Sequence, residues 1–211
     1  PQAELVQGAA GDLYGTARNG RLQHGGTVFK ITTNGVITTL HAFSGTPDGK
    51  YPESPVMQAS DGNFYGTADQ GGPNTLGTVF RVRTNGVYET VVAFDGTNGS
   101  FPDAGLVEGN DGLLYGTSSG GGEYHWGTIF KMSLDGMLTT LHSFNGTNGG
   151  IPYTPLLLHT NGNFYGTTYN GGPEDFGTVF KMTVGGELTV LHYFNGTNGT
   201  LPWSGLTQGS D

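Results

Sequence analysis

The chain has 211 residues, of which 40 are Gly, 10 Pro and none Cys, and its formal net charge is −9, from 8 Lys+Arg against 17 Asp+Glu. The absence of cysteine excludes a disulfide framework, a thiolate zinc site and a cysteine nucleophile. The few scattered basic residues form no stripe to neutralise phosphates, so nucleic acid and anionic membranes are poor partners. No apolar run approaches the ~18 residues a membrane-spanning helix needs, and 12% charged with 11% aromatic residues argues against both coiled coil and disorder.

In chain order, Pro1 opens a pattern that then recurs. Tyr14-Gly-Thr, Gly26-Thr-Val-Phe-Lys and an aromatic ending at Phe43 complete a first unit over residues 1–51. The same three motifs start at Tyr65, Gly77 and Phe94 in residues 52–101, at Tyr115, Gly127 and Phe144 in 102–151, and at Tyr165, Gly177 and Phe194 in 152–201. The tyrosines are spaced by 51, 50 and 50 residues, and Pro202 begins a partial fifth unit, 202–211. Within the third unit the pattern predicts strand A over 105–109, a turn at Asn110-Asp111-Gly112, strand B over 113–118, strand C over 127–133, a turn at Asp135-Gly136 and strand D over 137–144. Asp-Gly and Asn-Gly tolerate the positive φ of tight hairpins, and Thr-Val-Phe-Lys alternates with a period near two.

Four hairpin-linked strands per ~50 residues describe a propeller blade, whose two faces are covered only by stacking against neighbours. The fold class expected is therefore all-β: one β-propeller domain over residues 1–211, with four blades and one extra A-type strand at the C-terminal end. A β-solenoid has shorter coils and fewer hairpins, and a β-sandwich does not need so regular a repeat. Leu5-Val6-Gln7 and Leu206-Thr207-Gln208 compete for one strand A position. The chain is thus expected to close as a four-bladed ring, to join a second chain, or to be a piece of a longer array. An unpaired terminal strand offers an edge for homo-oligomer formation.

The motifs Leu-Tyr-Gly-Thr, Gly-Thr-Val-Phe-Lys and Leu-His-Ser-Phe-Asn-Gly-Thr resemble the bacterial choice-of-anchor tandem repeat (GloVer-type), a propeller-like repeat of surface or secreted proteins, over essentially the whole chain. The resemblance implies the fold and a secreted or cell-surface location. It implies little about activity. Pro1 already lies inside a repeat, as expected where an export signal is not part of the sequence.

Positions alike in every unit are scaffold, and positions that differ are free to serve a ligand. The long B–C and D–A connections are expected on one face, where binding usually resides. The B–C segments offer Arg18, Arg21 and His24; Asp69, Asn74 and Leu76; Glu123, Tyr124, His125 and Trp126; and Tyr169, Glu174, Asp175 and Phe176. The residue after each repeat proline also varies: Gln2, Glu53, Asp103, Tyr153 and Trp203. Aromatic rings beside carboxylates and amides suit a carbohydrate or another small polar ligand, which points to Tyr124, His125, Trp126, Tyr153, Tyr169, Phe176 and Trp203. The competing reading is a set of tolerant surface loops with rings packed sideways.

Small residues late in strand A suggest that it is innermost. Gln7, Gln58, Glu108 and His159 would then face a central channel, as hydrogen-bonded filler or around an ion or water chain. His41, His142 and His192 share one repeat position on strand D of different blades, too far apart to converge on one ion with roughly 2 Å bonds. No metal centre is expected from them. The Asn-Gly-Thr-Asn-Gly segments at Asn145 and Asn195, and Asp95 with Asn98, contain glycosylation-type patterns and a thin calcium-like donor set, but turn chemistry explains them without a ligand. No cofactor is expected beyond, at most, a structural cation such as Ca²⁺ in the channel or these loops.

No His-Glu-x-x-His or phosphate loop is present. An enzyme would have to use carboxylates assembled from several loops, about 5 to 10 Å apart for glycoside cleavage. Glu123, Glu174 and Asp175, with His125 as proton shuttle, are the first nominees, and Asp69 and Asp103 belong to the same set. The expected functions are a carbohydrate-binding module outside the cell, an enzyme acting on polysaccharides or glycosides, or an assembly protein joined by edge strands.

Overall fold

A computed structural model describes residues 3–20 and 25–209; Pro1, Gln2, Arg21 and His24 lie outside the described residues. The described residues hold sixteen strands and no helix. The first sheet contains β1 (Val6–Gln7), β2 (Leu13–Ala17), β3 (Thr27–Ile31) and β4 (Ile37–Ala42). The second contains β5 (Met57–Gln58), β6 (Phe64–Ala68), β7 (Thr78–Val82) and β8 (Tyr88–Ala93). The third contains β9 (Val107–Glu108), β10 (Leu114–Ser118), β11 (Thr128–Met132) and β12 (Leu138–Ser143), and the fourth β13 (Leu157–Leu158), β14 (Phe164–Thr168), β15 (Thr178–Met182) and β16 (Leu188–Tyr193). Each sheet is an antiparallel meander in chain order, so the expected all-β, four-bladed architecture is what the chain adopts.

Strand A shrinks to two residues in every sheet, and the register slips once between strands C and D, at Val28/Phe29, Val79/Phe80, Ile129/Phe130 and Val179/Phe180. A bulge of this kind increases the local twist of the sheet. The expected extra A-type strand at residues 206–208 does not form. Strand A exists only as a two-residue ladder to the strand B that follows it across a tight turn, as in Val6↔Tyr14 and Gln7↔Leu13. Residues 202–209 have no such strand beside them.

The chain divides into two compact units, Pro1–Asp95 with Phe101–Leu106, and Gly96–Ser100 with Val107–Asp211. Each unit packs two sheets by the same tier of rings. In the first, Tyr14 stacks on Phe64 at 3.8 Å and Phe43 meets Phe80 edge-on at 5.2 Å. In the second, Tyr115 lies on Phe164 at 4.1 Å and Phe144 on Phe180 at 5.5 Å. Full burial of each such ring contributes about 1.5–3 kcal/mol, so this tier carries most of the sheet-to-sheet cohesion. The glycine of Tyr-Gly-Thr makes room for it: a Cβ on Gly66 or Gly166 would meet the tip of Phe80 or Phe180 of the same sheet.

The glycine that opens Gly-Thr-Val-Phe has a second constraint. Gly127 has φ +92°, and a Cβ there would stand 2.9 Å from Cδ of Pro152, the repeat proline leading into the next sheet. Gly112, in the A–B turn, also has positive φ (+74°) but nothing within 4 Å. Gly112→Ala is expected to cost only the left-handed penalty of about 1–2 kcal/mol, whereas Gly127→Ala adds about 1–3 kcal/mol of overpacking. Urea unfolding of the two variants checks the ordering.

Candidate functional site

The segment that leaves each sheet uses one device four times. The residue before the repeat proline is left-handed without being glycine: Tyr51, Phe101, Ile151 and Leu201 have φ 61°, 55°, 54° and 49°. This conformation is costly, most of all for β-branched Ile151 before a proline. Hydrogen bonds on both sides hold it at Tyr51, Phe101 and Ile151. The Ile151 amide donates to the Trp126 carbonyl at 2.8 Å, and its own carbonyl accepts from the Tyr169 amide at 3.1 Å; Tyr51 likewise donates to Gly25 and accepts from Asp69. The clamp brings two variable positions together, the residue after the proline and the residue leaving strand B.

In the first unit these positions carry charge. Arg18, leaving β2, forms an ion pair with Glu53, and its guanidinium lies 4.4 Å from the centre of the Tyr51 ring. Asp69, leaving β6, is buried, and its side chain is hydrogen-bonded to Asp103. Burial raises the Asp69 carboxyl above the usual carboxylate range, and the charge of Glu53 adds to the effect. The hydrogen bonds from Asp103 and Gln70 and the charge of Arg18 offset it in part. In the second unit three of the four such positions carry rings, the fourth being Ser119. Tyr153 lies 5.6 Å from Tyr169 and 5.0 Å from Trp203, and Trp203 meets Tyr169 edge-on at 5.1 Å. Trp203 is 66% exposed.

The structure therefore gathers Tyr153, Tyr169 and Trp203 of the predicted ligand residues and leaves the others apart. Glu123, Tyr124 and His125 are exposed on the B–C loop of the third sheet. Glu123 and Tyr124 border a shallow cavity of about 420 Å³ with His142, Ser143, Asn145 and Asn148, and a hydrogen bond to Glu123 raises the Tyr124 hydroxyl. Trp126 is half-buried, its indole against Gly146 and Gly150. Phe176 takes the corresponding place beside Gly196. His125 and Asp175 occupy one repeat position with left-handed φ of 61° and 58°, and the Asp175 carboxylate accepts the Gly171 amide at 2.7 Å. Glu174 is exposed on that same loop, separate from the loop of Glu123.

Two of the strand A residues bond to A–B turns, His159 to its own and Gln58 both to its own and to that of the preceding sheet. Gln7 and Glu108 close β1 and β9. Gln58 accepts the Ala9 amide at 2.8 Å and donates to the Gly62 carbonyl at 3.0 Å, and His159 Nδ1 accepts the Asn161 amide at 3.1 Å with its ring 5.4 Å from Tyr165. The three repeated histidines each reach into their own D–A loop: His41 to Asp48 at 2.8 Å, His142 to Asn148 at 2.9 Å and His192 to Asn198 at 2.8 Å. Burial holds His142 below the usual imidazole range. Among the described residues no group of three or more His, Asp or Glu is arranged to hold a metal. One feature the sequence reading missed is a cavity of about 620 Å³ in the first unit, lined by Ser44, Thr46, Lys50, Tyr51, Gln70 and Thr75. Only the comparison of Lys50 with the uncharged residues at its repeat position (Ser100, Gly150, Thr200) hinted at it.

Four-stranded meander sheets in tandem, joined by proline linkers that present variable side chains, define a repeat protein of the β-propeller class. Residues 1–211 match the Gloeobacter/Verrucomicrobia repeat, and the chain belongs to that family. No curated protein matches the chain. Among solved structures it resembles a gluconolactonase of Xanthomonas campestris (15% identity, TM-score 0.57, 88% of this chain and 60% of that one). It also resembles a protein of unknown function from Dyadobacter fermentans (10%, 0.57, 88% and 66%) and dipeptidyl peptidase 4 of Porphyromonas gingivalis (13%, 0.50, 86% and 24%). The chain thus spans 60% of the Xanthomonas protein's length. At these identities the likeness is one of fold. No helix among the described residues is long and apolar enough to cross a membrane.

The raised Asp69 carboxyl makes a prediction about pH. The folded chain holds that proton more tightly than the unfolded chain, whose Asp69 titrates near the ordinary 3.8. The stability associated with the protonated form is complete below that value and is lost as pH rises through the folded-state pKa. Asp69→Asn is expected to remove this loss, so the variant melts at or above the wild-type temperature at pH 7 and loses that advantage below about pH 4. Melting temperature against pH for both proteins checks it.

Proposed function

We propose that the chain is a carbohydrate-binding module acting outside the cell, with Tyr153, Tyr169 and Trp203 as its ligand platform. The observation that carries this reading is three rings in mutual contact, one of them an indole open to solvent, at positions free to vary because the scaffold does not need them. An exposed ring face stacks on the apolar face of a pyranose, while nearby polar groups take its hydroxyls. The clamp pre-orders the platform, which lowers the entropy lost on binding. Binding at one platform is weak and gains strength from several sites on one polysaccharide. The likeness to a sugar-lactone enzyme supports a carbohydrate ligand, and the likeness to a peptidase is a reminder that the fold hosts unrelated chemistry.

Titration with a panel of soluble polysaccharides, read by calorimetry, tests the proposal. Trp203→Ala and Tyr169→Ala are expected to weaken the binding about tenfold or more each, equivalent to about 1.4 kcal/mol, while Trp126→Phe leaves it unchanged. Absence of binding to every polysaccharide overturns the reading.

The carboxyl pair Asp69–Asp103, with Glu53 and Arg18 beside it, favours a second reading, acid–base catalysis on a glycoside or sugar ester. This set differs from the first nominees Glu123, His125, Glu174 and Asp175. Hydrolysis of chromogenic glycosides or sugar lactones that is abolished in both Asp69→Asn and Asp103→Asn supports it; hydrolysis unaffected by either rejects it.

A further inference from the structure

Each unit contains one sheet-to-sheet junction, and the two junctions are made of equivalent residues. In the first unit, Tyr14, Val28, Leu40 and Phe43 of the leading sheet pack against Phe64, Ala68, Phe80, Val82 and Tyr88 of the following sheet. In the second, Tyr115, Ile129, Leu141 and Phe144 pack against Phe164, Phe180, Met182 and Leu188. The leading face and the following face are therefore distinct, complementary surfaces of one repeat.

The fourth sheet carries a leading face with the same residue types, and it is open. Leu191 is 50% exposed where Leu40 and Leu141 are half-buried against their junctions, and Phe194 is half-buried where Phe43 and Phe144 are fully buried. His192 is exposed where His41 lies under Tyr88 at 3.6 Å. The first sheet carries the matching following face, also open. Ile37 is 62% exposed where Tyr88 and Leu188 pack into their junctions, and Leu13, Ala17 and Ile31 are half-buried where Phe64, Ala68 and Val82 are fully buried. The exposure of Ile37 is not general to its turn. The neighbouring apolar turn residues Val36, Val87 and Met137 are exposed alike in the first three sheets, but Tyr88, which follows Val87, is covered in its junction.

We infer that the leading face of the fourth sheet, Leu191, His192 and Phe194 with Tyr165 and Val179, docks on the following face of the first sheet, Leu13, Phe29, Ile31 and Ile37, of a second copy of this chain. The occupant is argued from the junctions themselves. Each open face repeats, position by position, a surface whose mate is already seen within a unit, and the second copy supplies that mate. Both faces lack charged side chains at the packed positions, so nothing opposes their burial. The contact is head-to-tail, with different surfaces on the two partners, and therefore differs from the edge pairing through a terminal strand A that the sequence suggests. Residues 202–209 form no strand to make that pairing.

Sedimentation equilibrium of the 211-residue chain tests this. The expected mass is that of two or more copies, rising with concentration. Leu191→Asp, on one face, and Ile37→Asp, on the other, are each expected to give the mass of a single chain; both residues are at least half-exposed, so folding survives, as the far-ultraviolet circular dichroism spectrum verifies. Mixing the two variants leaves one Leu191 face and one Ile37 face intact on different chains, and a two-chain species is expected to return. Met137→Asp, at an exposed turn position outside both faces, is expected to leave the wild-type mass unchanged. A single-chain mass for the wild type at every concentration overturns the inference, as does an assembly indifferent to Leu191→Asp and Ile37→Asp, or a mixture that stays at the mass of one chain.

Discussion

A twisted sheet of four short strands with apolar residues on both faces has to be covered twice, and it cannot cover itself. This constraint organises the molecule. Strand B shows it most plainly, since all five residues of β6 and of β10 are buried, whichever way they point. Such a strand is stable only where other residues cover both of its faces. The ring tier of Tyr14 on Phe64, or Tyr115 on Phe164, is the contact that meets the demand within each unit. The glycines of Tyr-Gly-Thr and Gly-Thr-Val-Phe are consequences of it: the first yields space to a phenyl tip, the second to a proline.

The linker between sheets follows from the same close packing. A left-handed residue before a proline is a strained choice, yet it occurs four times at the same place. The strain is supported by backbone hydrogen bonds, two each at Tyr51, Phe101 and Ile151, and by the proline seated on a glycine that has no side chain to clash. The rigid linker then carries its next residue outward beside the end of a strand B. Arg18 with Glu53, Asp69 with Asp103, and Tyr169 with Trp203 are three outcomes of one geometry with different side chains. The scaffold therefore sets where chemistry is displayed, and two positions per repeat decide which chemistry it is.

The longer B–C loops illustrate how variability alone misleads. Glu123, His125, Glu174 and Asp175 vary between repeats and read as functional, yet His125 and Asp175 sit where the loop needs a left-handed turn, and the Asp175 carboxylate serves a backbone amide. Trp126 varies because different residues fill the space beside the next D–A loop. Its indole lies over two glycines and is half-buried. The repeated histidines are local braces, each tied to the Asp or Asn of its own loop, in line with the structural role their separate blades imply.

The fifty-residue period, the four strands of each unit and their turns were all readable in the amino-acid sequence, because hairpin residues and alternating apolar positions act locally. The two variable positions that matter were readable as well: Glu53, Asp103, Tyr153 and Trp203 follow the prolines, and Arg18, Asp69 and Tyr169 follow strand B. What local pattern does not contain is which of them meet. That depends on a linker conformation, left-handed at Tyr51 and Ile151, that no propensity favours and only contacts with a neighbouring sheet can hold. The same limit explains strand A at residues 206–208: the sequence has the residues for a strand, but a strand needs a partner, and pairing is a property of the folded chain.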